Sequence, residues 1–278
     1  MAYRMGRIRE KKMSKGVILF AFNSPKFNYY DMAVATAKRI NHFLDLPVSI
    51  ITDITSIPKN TTYTFDNTIL ITADTSNKRD WGTWINKGRY RAFELSPYDE
   101  TLLIDTDYLV NSTKLLKTFE LPTDFCCLED THFLMYHVKH LEMLNPYGFK
   151  TLWATVVRFN KTKRAEQIFN SMGMVQRNYE HYANLHGFIP SPYRNDYAIT
   201  LATRIANGNT LPVEDLIPWN LVHIGKNVMV YKNNDDVFNT EYTVMFDNWQ
   251  RGKIRKEYTI VKELDFHVMN KDNFMELA

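Results

Sequence analysis

Cysteine is nearly absent: 278 residues hold only two, Cys126 and Cys127, and they are neighbours. Adjacent residues of a strand point to opposite faces, so the pair in DFCCLED cannot close an unstrained disulfide. A disulfide-stapled framework is excluded, and both thiols are expected in the core of a cytoplasmic protein. Glycine and proline are sparse, at ten each, and no Gly/Ser linker, low-complexity tract or internal repeat divides the chain. No apolar run approaches the roughly 20 residues that cross a bilayer. The early run GVILFAF, Gly16 to Phe22, is short, lacks a small-residue cleavage site and reads as a first buried strand. Neither GxGxxG nor GxxxxGK[ST] occurs, which argues against a dinucleotide oxidoreductase or a P-loop kinase. The net charge of +3 is too small to require a nucleic-acid partner.

What is present is an apolar fraction of 45%, enough for a sizeable core in one domain. Two basic clusters stand out, RIREKK from Arg7 to Lys12 and RGKIRK from Arg251 to Lys256. The first falls in residues 1–15, which read as a mobile basic arm; residues 16–278 read as the folded domain. In its first part, strand and helix alternate. Gly16–Phe22, Val48–Asp53, Thr68–Thr72 and Thr101–Ile104 read as strands, with helices from a cap at Asp31 to Pro47 and across Trp84–Leu95. That alternation predicts a parallel-type sheet, whose ligands collect at the carboxyl ends of the strands. Further on, DFCCLED and Leu152–Phe159 read as strands, Lys161 to about Leu185 as one long helix, and Asn195–Asn207 as another, with Gly208 to end it. Short β-like runs follow: NLVHIG, VMVYK, EYTVMF and EYTIVKELDF.

The most informative stretch is TLLIDTDYLV, Thr101 to Val110. A buried strand runs straight into Asp105 and Asp107, and residues i and i+2 of an extended or turning backbone point the same way. Both carboxylates can then reach one hard divalent cation, Mg²⁺ or Mn²⁺, whose open positions suit phosphate oxygens. Just upstream, WINKGRYRAFELSPYDE supplies cations. These features resemble the GT-A glycosyltransferases, closest to their glycogenin-like and bacterial galactosyltransferase-like branch. The resemblance implies an α/β fold of GT-A type: a Rossmann-like mixed sheet flanked by helices, with a nucleotide-sugar half over about 16–110 and an acceptor half over about 111–278.

It further implies a metal held by Asp105, Asp107 and a histidine after the last strand, with a lysine nearby for the diphosphate of a nucleoside-diphosphate sugar, UDP-sugar foremost. Two histidines compete: His267, with Lys271 after it, and His223, with Lys226 after it. Both His-to-Lys spacings are shorter than in glycogenin-like enzymes; His267 is preferred because it follows the final strand. For the nucleotide, the loop after the first strand offers Phe22, Asn23 and Tyr30, the second strand ends in Asp53, and the upstream segment offers Asn86, Lys87 and Arg91, with Arg89 nearby. Lys87 and Arg91 would share a face of an α-helix. On the acceptor side Asp196 is the first candidate catalytic carboxylate, with Glu129 and Asp130 as the rival pair. The compact build also resembles small bacteriophage glycosyltransferases, which makes hydroxymethylcytosine in DNA a candidate acceptor and the host cytoplasm the setting; a surface glycan or protein is the alternative. A nucleotidyltransferase and a non-catalytic binding module are the competing classes. The former would normally need a further carboxylate for a second ion, and none follows at a convincing spacing.

Overall fold

The computed structural model describes residues 13–79, 82–133, 138–140, 142–145, 148–250 and 252–278. The cluster Arg7–Lys12 and Arg251 lie outside them. Strand β1 (Lys15–Phe20) leads through helix α1 (Tyr29–Leu44) to β2 (Val48–Thr52) and β3 (Asn67–Leu70). A small ribbon of β4 (Lys78–Arg79) and β5 (Gly82–Thr83) precedes a 3₁₀ helix at Lys87–Arg91 and the short α2 (Ala92–Leu95). Next come β6 (Glu100–Ile104), β7 (Tyr108–Leu109), β8 (Phe125–Leu128), β9 (Thr131–Phe133), β10 (Val138–His140) and β11 (Trp153–Asn160). Helices α3 (Lys163–Arg177), α4 (Tyr179–His186) and α5 (Asn195–Ala206) follow. The chain closes with β12 (Leu221–Ile224), β13 (Met229–Lys232), β14 (Glu241–Gln250), β15 (Lys253–Lys262), β16 (Phe266–Val268) and α6 (Lys271–Leu277).

The central sheet has the order β3-β2-β1-β6-β11-β8. β3, β2, β1 and β6 are parallel, while β11 runs antiparallel to both β6 and β8, so the sheet is mixed. From β1 the chain builds outward through β2 to β3, then returns to place β6 on the other side of β1. Strand order therefore reverses at the β1/β6 boundary, and open α/β sheets place their ligands beyond the carboxyl ends of the strands at such a point. A second sheet, β10-β9-β12-β16-β7, lies at that end. The chain leaves the first sheet at Ile104 and enters the second at Tyr108, so Asp105, Thr106 and Asp107 are the crossing itself.

Both faces of the central sheet are covered, and side chains alternate between two cores. Ile18, Leu103, Val157 and Phe159 face α3 and α5, whereas Val17, Leu19, Leu102, Ile104 and Val156 face α1. Burying each such side chain contributes about 1.5–3 kcal/mol, which explains why these runs read as continuous apolar strands rather than alternating ones. Cys126 and Cys127 follow the same alternation: both are buried and free, one in each core. At the start of β1, Gly16 leaves room for the Tyr98 ring, which a Cβ would meet at 2.4 Å. A third cluster joins β13–β16 to α6 and to Met32 of α1.

Several elements differ from the sequence expectation for local reasons. Helix α1 is capped by Asn28, whose side chain accepts from the Asp31 amide; Asp31 lies in the first turn. The long helix expected to Leu185 breaks at Asn178 into α3 and α4, and its cap is Thr162. The helix expected over Trp84–Leu95 is a 3₁₀ turn followed by a single α turn. Helix α6, capped by the Asn270 side chain, has no counterpart in the sequence reading. No helix among the described residues is long and apolar enough to cross a membrane.

Candidate functional site

The site is built where the two sheets meet. The Asp105 amide donates to the Thr155 carbonyl at 2.9 Å, holding the end of β6 against β11, and the Tyr108 amide donates back to the Asp105 carbonyl at 3.1 Å to close a turn. Strand β16 pairs antiparallel with β7, setting His267 opposite Tyr108, and the Val268 amide donates to the Asp107 carbonyl at 2.9 Å. His267 is thereby carried from 160 residues away until its Nε2 lies 3.1 Å from Asp107 Oδ2. One ligand atom from each of Asp105, Asp107 and His267 falls within 4.8 Å of the others. Two carboxylates and an imidazole make a hard to borderline donor set, which fits Mn²⁺ or Mg²⁺ and leaves further positions for oxygen ligands.

Each aspartate is also balanced by a cation of the chain. Arg89 donates to Asp105 and, through its other terminal nitrogen, to the Ala154 carbonyl at 2.6 Å. Lys271, in the first turn of α6, donates to Asp107 Oδ2. Burial pushes the Lys271 ammonium down to about 8, with the Asp105 charge acting in the opposite sense. His267 is lowered by burial, against the raising effect of Asp105 and Asp196, and so favours the neutral imidazole a metal needs. Tyr29 borders the same charge: burial raises its phenol, and Asp105 raises it further.

Arg89 was only a neighbour in the sequence reading, and the 3₁₀ geometry explains its importance. At three residues per turn, positions 87, 89 and 91 point in three directions about 120° apart, whereas an α-helix would align 87 with 91. Lys87 accordingly donates to Ser76 at 2.7 Å, Arg91 pairs with Glu94 at 3.1 Å on the surface, and Arg89 alone turns inward to Asp105. The sharing of one face by Lys87 and Arg91 is thus corrected. Gly88 was the available signal, since glycine weakens an α-helix by about 1 kcal/mol relative to alanine.

The remaining sequence candidates are placed as follows. Asn23 ties the loop after β1 to the loop after β2: its amide donates to Ser56 Oγ at 2.7 Å and its side-chain oxygen accepts from the Tyr30 amide at 2.9 Å. Phe22 and Tyr30 are buried, Tyr30 edge-on to Phe65, so Tyr29 rather than Tyr30 borders the aspartates. Asp53 accepts from the Ser56 amide at 2.8 Å and closes its own turn. Asn86 accepts from Asn77 and from Asn195, which links it to the start of α5. There, Asp196 accepts from the Ala154 amide at 2.9 Å and pairs with Arg194 at 3.3 Å, while Arg194 also holds Glu142 at 2.6 Å. Glu129 and Asp130 directly follow β8, 3.1 and 3.9 Å from Lys150.

His223 and His267 were alternatives in the sequence; in the structure they are partners. Strands β12 and β16 run parallel with His223 in register with His267, and their Nδ1 atoms are 3.0 Å apart. Of the two, His267 is the one that clusters with Asp105 and Asp107. Among the described residues, buried polar atoms without a hydrogen-bond partner include Arg89 Nε, beside Asp105, and Asn195 Oδ1, at the start of α5.

No protein-family model matches this chain, and no curated protein matches it in sequence. Among solved structures it is similar to the glycosyltransferase GlyE of Streptococcus pneumoniae TIGR4, with 13% identity and a TM-score of 0.42 over 74% of this chain and 45% of that one. It is also similar to the galactosyltransferase LgtC, solved in complex with donor and acceptor sugar analogues, with 13% identity and a TM-score of 0.44 over 67% of this chain and 69% of that one. The chain thus spans under half the length of GlyE.

Proposed function

We propose that the protein is a metal-dependent glycosyltransferase of GT-A type, which moves a sugar from a nucleoside-diphosphate sugar to an acceptor hydroxyl. The observation that carries this reading is the convergence of Asp105, Asp107 and His267 at the point where strand order reverses, with Arg89 and Lys271 beside them. Loss of the nucleoside diphosphate places negative charge on its terminal phosphate. Asp105, Asp107 and His267 would hold a divalent ion, which would supply positive charge to offset that of the departing diphosphate. Lys271 is the mobile cation of the pair: a lysine on the first turn of a helix can leave Asp107 for a phosphate without disturbing the backbone. Arg89, bonded to both Asp105 and the Ala154 carbonyl, stays in place and orients the carboxylate. The nucleotide would lie over the loop after β1, between Tyr29 and the Asn23–Ser56 tie.

Asp196 is close enough to His267 for its charge to act on that imidazole. It is the carboxylate we assign to the acceptor hydroxyl. Its partner Arg194 also pairs with Glu142, and Glu129 and Asp130 are offset by Lys150. The acceptor hydroxyl belongs either to hydroxymethylcytosine in DNA or to a glycan or protein, and the test below separates these.

The test is thermal stabilisation of the purified protein by a panel of nucleoside diphosphates and nucleotide sugars, with Mn²⁺ or with chelator. Ligands that bind only the folded state raise the midpoint, by an amount equivalent to about 2.7 kcal/mol at a hundredfold excess over Kd. A shift that needs both one nucleotide and the metal, and that vanishes in Asp105→Asn and Asp107→Asn, is the expected result. No shift with any donor, or an undiminished shift in both variants, would overturn the reading. Transfer to glycan or to hydroxymethylated DNA then separates the two acceptors.

A further inference from the structure

The contact between His223 and His267 has a chemical requirement of its own. Two imidazole Nδ1 atoms 3.0 Å apart attract only if one carries a hydrogen and the other a lone pair. His267 meets a second partner at its opposite nitrogen, Asp107 Oδ2, at 3.1 Å from Nε2. Without a cation, that contact is favourable when Nε2 carries the hydrogen and donates to the carboxylate. His267 Nδ1 is then a lone pair, and His223 Nδ1–H donates to it. A cation bound at Nε2 needs the lone pair there instead, so the hydrogen of His267 must sit on Nδ1 and find an acceptor. His223 Nδ1 is placed to be that acceptor, with its own hydrogen on Nε2.

From this geometry we infer that His223 is a positioning residue for the metal ligand, its Nδ1 changing from donor to acceptor as His267 turns its Nε2 lone pair toward a divalent cation. In the change, His267 exchanges a hydrogen on Nε2 for one on Nδ1, and His223 exchanges Nδ1 for Nε2. The pair neither gains nor loses a proton, and no charge is created in a buried place. Position supports the role. His223 is only 4% exposed, its ring lies 5.0 Å from that of His267 and 5.9 Å from that of Trp153, and the parallel β12–β16 register fixes the approach of the two rings. A backbone carbonyl could serve only as acceptor and a lysine only as donor; an imidazole can be either.

The inference rests on the metal-site reading proposed above, and the experiment distinguishes the two. In protein labelled with ¹⁵N-histidine, two-bond ¹H–¹⁵N spectra report which ring nitrogen carries hydrogen, and Cd²⁺ serves as a diamagnetic probe. The expected result is reversal of both tautomers on addition of Cd²⁺; a shift of His267 with His223 unchanged would overturn the role of His223. In parallel, free Mn²⁺ is followed by electron paramagnetic resonance during titration of His223→Leu and His223→Asn. The leucine variant is expected to lose about tenfold in affinity. The asparagine variant, whose amide offers both a donor and an acceptor, is expected to stay within about threefold of the wild type. Equal affinities for the two variants would reduce His223 to packing. Should His223→Leu fail to fold, the spectra of the wild-type protein still decide. Binding of Mn²⁺ that is unaffected by His267→Ala would remove the metal site itself, and the inference with it.

Discussion

Removing Arg89 tests whether the aspartate that opens the site is held by a real interaction or merely stands near a cation. Arg89 reaches Asp105 from a 3₁₀ turn and also satisfies the Ala154 carbonyl, with its own side chain 8% exposed and that of Asp105 26% exposed. An exposed ion pair would contribute about 0–1 kcal/mol, and loss of one partner of a fully buried pair about 3–5 kcal/mol. With one partner buried and the other a quarter open to water, the coupling should lie between these limits, near the roughly 1.5–3 kcal/mol of a charge-assisted hydrogen bond. A double-mutant cycle of Arg89→Met and Asp105→Asn, read by urea unfolding, should give about 2 kcal/mol. Arg89→Met alone should cost more than that, because the Ala154 carbonyl is left unmet. Because the pair is shielded, the coupling should change little between about 0.1 and 1 M salt. A coupling under about 0.5 kcal/mol, or one abolished by salt, would refute the argument that Arg89 positions Asp105.

Arg39 is 1% exposed and donates to Val110, Asn111, Val237 and Asn239, so Arg39→Met should destabilise by about 3–5 kcal/mol, measured as a fall in the urea midpoint at unchanged slope. Gly16→Ala should cost about 1–3 kcal/mol, because the new Cβ meets the Tyr98 ring at 2.4 Å while the phenol is held by Ser49; a calorimetric midpoint equal to that of the wild type would contradict the packing. Burial pushes the Cys126 thiol up to about 12 and holds the Cys127 thiol well above the ordinary thiol range, so the reactive thiolate is scarce at neutral pH. Native protein at pH 8 should resist a thiol reagent that labels both cysteines in urea; fast native labelling would show the sheet to be open there.

The sequence by itself determined the local parts. Apolar runs set β1, β2, β6 and β11, because strands covered on both faces need no polar alternation. The abrupt change from Ile104 to Asp105 marked the carboxyl end of a buried strand. Asn195–Asn207 was legible as a helix because its apolar spacing and Gly208 agree. Tertiary structure decided what depends on distant segments. Nothing local to His223 or His267 says that β12 and β16 pair in register, so two histidines that compete in the sequence are hydrogen-bonded neighbours in the fold. Nothing near Asp107 announces that β7 will leave one sheet for another and draw β16 alongside. Arg89 stayed hidden for a smaller reason: a change from 3.6 to three residues per turn redirects side chains within a few positions. Periodicity records which residues seek the core, whereas a site is made by strand pairing across the whole chain, and pairing energy is spread over contacts that no single segment contains.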